Sequence, residues 1–159
     1  MSDILIASME SARDELGRAA QAVPDARLNW KPLDNGRTVL DLLGDGAQIP
    51  LMVMPMLGAP GGFKPTQEGM REMFGKMREE RKNWTRDECL KHLHANTEAV
   101  VTAIRALPEE RLAEPLTMPF GGGMTMPMGA WIMMIHRAFY ARMGQINYIQ
   151  TLYGDFDPH

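Results

Sequence analysis

The chain has 159 residues, of which 45% are apolar and 23% are charged, and its formal net charge is −3. These values are typical of a soluble globular protein, and they predict a single domain over residues 1–159. Binding to a nucleic-acid backbone needs a basic surface that this composition does not supply, so no nucleic-acid partner is expected.

The start of the chain and its cysteine content predict a cytoplasmic location. Residues 1–16 carry acidic side chains where a secretory signal would carry basic ones. The most apolar stretch, residues 49–57, is too short to cross a bilayer and contains two prolines. No membrane partner is therefore expected. Cys89 is the single cysteine, which suits a reducing compartment.

Apolar residues recur at helical spacing through most of the chain, and no convincing alternation of the strand type is present. The first helix is predicted over about residues 3–22, with Ile4, Ala7, Ala12 and Leu16 in its apolar stripe. Such a stripe predicts a helix that packs one face on a core.

The second helix is predicted to start at Thr38, where the sequence TVLD is a variant of the capping box. Three apolar residues of this helix are expected to face the core: Leu40, Leu43 and Ala47. Pro50 and Pro55 must kink or end the helix, because proline lacks an N–H group and clashes with the preceding turn.

Two further helices are predicted in the middle of the chain. Residues 66–82 form a short, highly charged helix with methionine and phenylalanine on one side. Residues 85–107 form a long helix that starts at a capping box, in which Thr85 and Glu88 can bind each other's backbone N–H groups.

The last helix is predicted from about Thr125 or Pro127 to Gly154, after a connection rich in proline and glycine. The glycine-rich residues 119–129 lack the lysine and the preceding strand of a phosphate-binding loop, which favours a flexible turn. The predicted fold is therefore all-α: a four-helix bundle with one extra short helix between its second and third long helices.

Two segments of the chain resemble the DinB-like superfamily of four-helix bundles. One is LNWKPLDNGRTVLDLLGDGA at residues 28–47, and the other is ARMGQINYIQTLYG at residues 141–154. The superfamily includes metal-dependent thiol transferases and mycothiol-dependent isomerases. The resemblance implies the same bundle fold and a homodimer as the assembly.

The resemblance also implies where a metal site would lie. Metal-binding members have one histidine in the second helix and an H-x-x-x-H pair in the last helix, before an arginine-glycine-glutamine sequence. This chain has Asp45, Ala138 and Arg142 at those positions. Alanine has no donor atom and arginine stays protonated, so we expect no metal and no cofactor. Asp45 and Arg142 are instead predicted to form a salt bridge across the bundle.

Three aromatic residues of the last helix complete the predicted ligand-binding site with Asp45 and Arg142: Trp131, His136 and Tyr140. His136 lies about half a turn from the face of the family's metal ligands, so a hydrogen-bonded histidine is the simpler interpretation. Fifteen methionines are present. They either fill the core or line an adaptable binding surface, since methionine suits both.

Three functions fit these observations. The first is a DinB-like protein without the three-histidine metal site, in which a vestigial or repurposed pocket holds a small ligand. The second is a metal-dependent thiol transferase or hydrolase-like enzyme that uses other ligands, such as Asp45 and His136. The third is a non-catalytic homodimer with a methionine-rich interaction surface. The sequence favours the first and does not decide whether the protein is an enzyme.

Overall fold

The computed structural model describes residues 2–58, 64–119, 122–157 and 159. Helices dominate this part of the chain, and their bounds in chain order are α1 Ser2–Gln21, α2 Val39–Gln48, α3 Met54–Gly58, α4 Gln67–Glu80, α5 Arg86–Ala106 and α6 Met128–Thr151. Two short strands, β1 Pro115–Met118 and β2 Met124–Pro127, precede α6. The predicted four-helix bundle is confirmed, with α4 as the extra helix between its second and third members.

Threonine side chains begin three of these helices. The Thr38 hydroxyl accepts a hydrogen bond from the backbone N–H of Asp41 at the start of α2, and Thr66 does the same at the start of α4. At α5 the capping box is complete, because Glu88 also accepts from the backbone N–H of Thr85 at 2.7 Å. Each bond satisfies a backbone donor that the first helical turn leaves without a partner.

Proline ends α2, as the sequence predicts. The helix ends at Gln48, a 3-10 turn over Ile49–Met52 contains Pro50, and α3 contains Pro55. The bundle's second helix is therefore a regular segment followed by two shorter ones. After this break, the 3-10 turn contacts α5 and α6, and α3 contacts α5. The proline- and glycine-rich sequence of residues 58–65 predicts a loop, but most of this segment lies outside the described residues, which omit 59–63.

The core lies among α1, α2, α5 and α6, where α1 packs on α5 and α6 and α2 packs on the same two helices. Leu43 and Ala47 face the core as predicted, and Leu40 is half-buried. The apolar stripe predicted for α1 is wrong at two positions, since Ile4 and Ala7 are exposed. The buried residues of α1 form one stripe of helical period: Leu5, Ile6, Met9, Ala12, Arg13, Leu16, Gly17, Ala19 and Ala20. At its start, the observed stripe is thus shifted by about one residue from the predicted one, since Leu5 is buried and Ile4 is exposed.

The connection before α6 contains a β-hairpin, which corrects the expectation of a chain without strands. β1 and β2 pair antiparallel, with Leu116 opposite Met126. Gly122 and Gly123 adopt positive φ angles of 85° and 102°, which glycine tolerates and which the turn between the strands requires. Residues 120–121 of the predicted flexible turn lie outside the described residues.

No helix in the described ranges is both long enough and apolar enough to span a membrane.

Candidate functional site

The salt bridge predicted between α2 and α6 is present. Arg142 Nε donates to Asp45 Oδ2 at 2.7 Å, and both side chains are about three-quarters buried. Asp45 and Arg142 therefore join two helices of the bundle at the position that the family resemblance marks.

Two further arginines contact the same carboxylate. Arg81, which follows α4, lies 3.1 Å from Asp45 Oδ1, and Arg37, which precedes α2, lies 3.4 Å from Asp45 Oδ2. Gly44 leaves room for this arrangement, because a Cβ atom there would lie 3.1 Å from Arg81 Cδ. Both oxygens of Asp45 are thus engaged by guanidinium groups.

Asp41, one turn before Asp45, extends the network. Arg37 Nε donates to its Oδ2 at 2.6 Å, and Arg81 Nε lies 3.3 Å from its Oδ1. Partial burial would raise the pKa of the Asp41 carboxyl, but the hydrogen bond and the charges of the two arginines hold it below its usual value. The network contains three guanidinium groups and two carboxylates, so it carries an excess of positive charge.

Three residues of this network are not among the site residues predicted from the sequence: Arg37, Asp41 and Arg81. The spacing of Arg37 and Asp41, four residues apart at a helix start, is a signal that could have found that pair. No local signal marks Arg81, because it reaches Asp41 across forty residues of chain. Tertiary packing alone places it in the network.

A cavity of about 570 Å³ adjoins this network. Asp45, Ala138 and Arg142, which the sequence resemblance aligns with the family's metal ligands, all line it. Six methionines also line it, from the segment after α2, the hairpin and α6: Met52, Met56, Met118, Met124, Met126 and Met134. Phe74 reaches the cavity from α4. From the sequence, the methionines are expected either to fill the core or to line a binding surface. Six of them form a wall of this cavity.

Trp131 also lines the cavity and connects α6 to the hairpin. Its Nε1–H donates to the backbone oxygen of Leu116 at 2.9 Å, and only 5% of the residue is exposed. This bond holds β1 against the first turns of α6. Trp131 therefore positions Met118 and Met126 on the cavity wall.

His136 and Tyr140 do not line this cavity. The Tyr140 hydroxyl donates to Glu15 on α1 at 2.8 Å, and the His136 ring contacts the Tyr140 ring edge-on at 4.9 Å between centroids. Tyr140 lines a separate groove with Arg37 and Gln145. The structure thus brings together three of the five predicted site residues, Asp45, Arg142 and Trp131, and leaves these two on another side of α6.

The donor atoms near Asp45 are carboxylates and guanidinium groups. In the part of the chain that the structure describes, no three or more His, Cys, Asp or Glu side chains lie close enough together to hold a metal ion. Cys89 is buried, and burial raises the pKa of its thiol to about 12. Its thiolate form is therefore scarce near neutral pH.

The sequence profile of the DinB superfamily matches residues 8–138. Three solved structures share the fold over more than nine-tenths of this chain. A sibling lethal factor precursor, DfsB, has a TM-score of 0.73 at 16% identity and covers 97% of both chains. YfiT from Bacillus subtilis, described as a probable metal-dependent hydrolase with an unusual four-helix bundle topology, has a TM-score of 0.69 at 16% identity, covering 96% of this chain and 87% of its own.

The third structure is a mutant of a mycothiol-dependent maleylpyruvate isomerase, with a TM-score of 0.68 at 14% identity. The match covers 92% of this chain and 60% of the isomerase. No curated protein matches the sequence significantly. At these identities the structural likeness concerns the fold alone.

Proposed function

Because the chain belongs to the DinB superfamily, we propose that it is a metal-independent member that binds a small, largely apolar molecule in the methionine-lined cavity. The observation that carries the proposal is that this cavity opens beside Asp45, Ala138 and Arg142. These are the positions at which the family resemblance implies three metal-ligating histidines. The cavity thus lies where the resemblance implies a metal site, but the side chains at the three ligand positions are not histidines.

The donor set does not fit a catalytic metal ion. Such an ion is usually held by about three nitrogen, sulfur or oxygen ligands and keeps an open position. Ala138 offers no donor, Arg142 is a cation, and both Asp45 oxygens already face guanidinium groups. A divalent cation at this point would also meet the excess positive charge of the arginines. His136, the other ligand considered from sequence, contacts Tyr140 instead.

The cavity has the properties of a small-molecule site. Its volume of about 570 Å³ lies within the roughly 300–1,000 Å³ usual for ligand pockets, which are mostly apolar with a few polar groups. Methionine side chains are flexible and polarisable, so a wall of them adapts to ligands of different shape. The alternative of a non-catalytic interaction protein stays a prediction. The homodimer that the resemblance implies also stays a prediction, and sedimentation equilibrium would measure that assembly.

The test uses the neutral, environment-sensitive dye Nile red as a probe of the cavity. We expect saturable dye binding that is the same after treatment with EDTA and after incubation with zinc or nickel. Ala138→Phe should abolish most of the binding, because the added ring occupies the cavity that Ala138 lines. Ala99→Phe, on an exposed position of α5, is the matched control and should bind the dye normally.

Two results would overturn the proposal. Dye binding that depends on added zinc or nickel would show that the site works with a metal. Dye binding that is equal in the two phenylalanine variants would show that the dye, and any apolar ligand, does not use this cavity.

A further inference from the structure

We propose that the ligand of this cavity is an amphipathic carboxylate, whose apolar part lies among the methionines near Trp131 and whose carboxylate binds Arg137 and Arg142. This inference rests on the proposed function and adds the chemical class of the ligand. The inference follows from three observations: the distribution of charge along the cavity wall, the unused N–H donors of the two arginines, and the arginine contacts that already occupy both oxygens of Asp45.

The wall changes from apolar to charged along α6. Trp131, Met134 and Ile135 line the cavity in the first two turns of the helix, and Arg137 and Arg142 line it further along. Trp131 and Arg142 are eleven residues apart, which corresponds to about 16 Å along the helix axis. A ligand that fits both ends is therefore elongated, with an apolar group at one end and a polar group at the other.

The arginines at the charged end have unused hydrogen-bond donors. Within the described ranges, Arg137 has no carboxylate partner, and its one side-chain hydrogen bond runs from NH1 to the Met134 sulfur at 3.4 Å. Arg142 uses Nε for Asp45, and none of its described bonds involves a terminal nitrogen. Guanidinium groups bind carboxylates through charge-assisted, often paired hydrogen bonds. These free N–H groups are suited to an incoming carboxylate.

Asp45 does not make the charged end attractive to a cation. Its two oxygens already contact Arg37, Arg81 and Arg142 at 2.7–3.4 Å. A ligand ammonium group would have to displace one of these arginines and would face the charge of Arg137 as well. An anion meets the excess of positive charge directly, so the local field selects a negative head group.

The test compares three probes that share a ten-carbon chain and differ in the charge of the head group: decanoate, decan-1-ol and decyltrimethylammonium. Each competes with Nile red for the full-length protein at a pH where decanoate is ionised. We expect decanoate to displace the dye at a concentration about tenfold lower than the alcohol does, since charge-assisted hydrogen bonds are added to the same apolar contact. The ammonium probe should be the weakest.

Variants assign the effect to a residue. Arg137→Gln should weaken decanoate about tenfold and leave decan-1-ol unchanged, because only the carboxylate uses the guanidinium group. Arg137 is exposed, so the variant is expected to fold. Arg105→Gln, at an exposed position in the last turn of α5, removes the same charge away from the cavity and should leave all three affinities unchanged.

The outcomes separate this inference from the proposed function. Equal displacement by decanoate and decan-1-ol, or a preference for the ammonium probe, overturns the carboxylate ligand and leaves the apolar cavity site standing. A loss of affinity for all three probes in Arg137→Gln, or no change for decanoate, overturns the assignment of Arg137. No binding of Nile red or of any probe overturns the proposed function itself.

Discussion

At the scale of the residue, Asp45 and Arg142 show how a bundle can hold charged groups beside its core. A carboxylate and a guanidinium group removed from water are costly unless each finds partners. Asp45 contacts three arginines, and two of these also contact Asp41. Because each carboxylate contacts at least two arginines, loss of one contact does not leave it without a partner. The network therefore spreads the cost of burial over five side chains.

Replacing Arg142 should destabilise the protein by about 1–3 kcal/mol, since Asp45 loses its shortest contact and keeps two others. The double variant Arg142→Ala with Asp45→Asn should recover part of this loss, with a coupling of about 0.5–3 kcal/mol. Urea unfolding of the wild type, both single variants and the double variant measures the cycle. Arg105→Ala is the control for loss of a charge alone, and additive effects of the two substitutions would contradict the predicted coupling.

At the scale of the element, the helix starts and the hairpin determine which residues reach the cavity. The completed capping box at Thr85 fixes the start of α5, and the break after Gln48 lets Met52 and Met56 turn toward α6. The hairpin brings three more methionines to the same cavity. Helix α4 buries one residue, Met70, and places Phe74 at the cavity. The wall is thus assembled from short elements around α6.

Removal of the capping hydroxyl should weaken the bundle. We expect Thr85→Ala to lower the free energy of unfolding by about 1 kcal/mol, because the N–H of Glu88 loses its acceptor at the start of α5. Thr85→Ser should retain most of the stability. Thr102→Ala, at an exposed position inside the same helix, is the matched control and should not be destabilised. Urea unfolding measures all three, and equal stability of Thr85→Ala and wild type would disprove the role of the cap.

At the scale of the whole molecule, paired carboxylates connect separate helices and make stability depend on pH. Arg13 bonds to Asp14 and reaches Glu98 on α5, while Arg37 and Arg81 bond to Asp41. The hydrogen bond from Arg13 lowers the pKa of Asp14 despite some desolvation, and the pKa of Asp41 is lowered by its own arginines. These carboxylates therefore stabilise the folded chain in their ionised form.

The sign of the pH effect follows from these shifts. A carboxyl whose pKa is lower in the folded state binds fewer protons there, so its contribution is present above its unfolded pKa and is lost as the pH falls through the folded pKa. We expect the urea midpoint to fall steeply below about pH 4. Asp41→Asn should show a shallower fall over the same range, and a wild-type midpoint that is constant down to pH 3 would contradict the prediction.

Much of the fold was predictable from residue patterns because its determinants are local. The threonine starts of α2 and α5, the prolines after Gln48 and the apolar spacing of the long helices each act within a few residues. The hairpin was missed because each strand has only four residues, which is too short for a clear alternation, and because proline and glycine lie in and around the strands. The start of the α1 stripe was misplaced because Ile4 is apolar but lies beyond the packed face.

For the candidate site, the sequence by itself determined that Ala138 and Arg142 lie four residues apart on one face of α6. The family resemblance added the prediction that this face looks toward Asp45. Helix periodicity is enough to place two such residues on one face. Tertiary structure alone decided that Arg81 joins Asp45, that six methionines form one wall, and that Tyr140 bonds to α1, with the His136 ring against it, instead of lining the cavity. These contacts depend on the angles and register at which distant helices pack, and no short-range pattern encodes them.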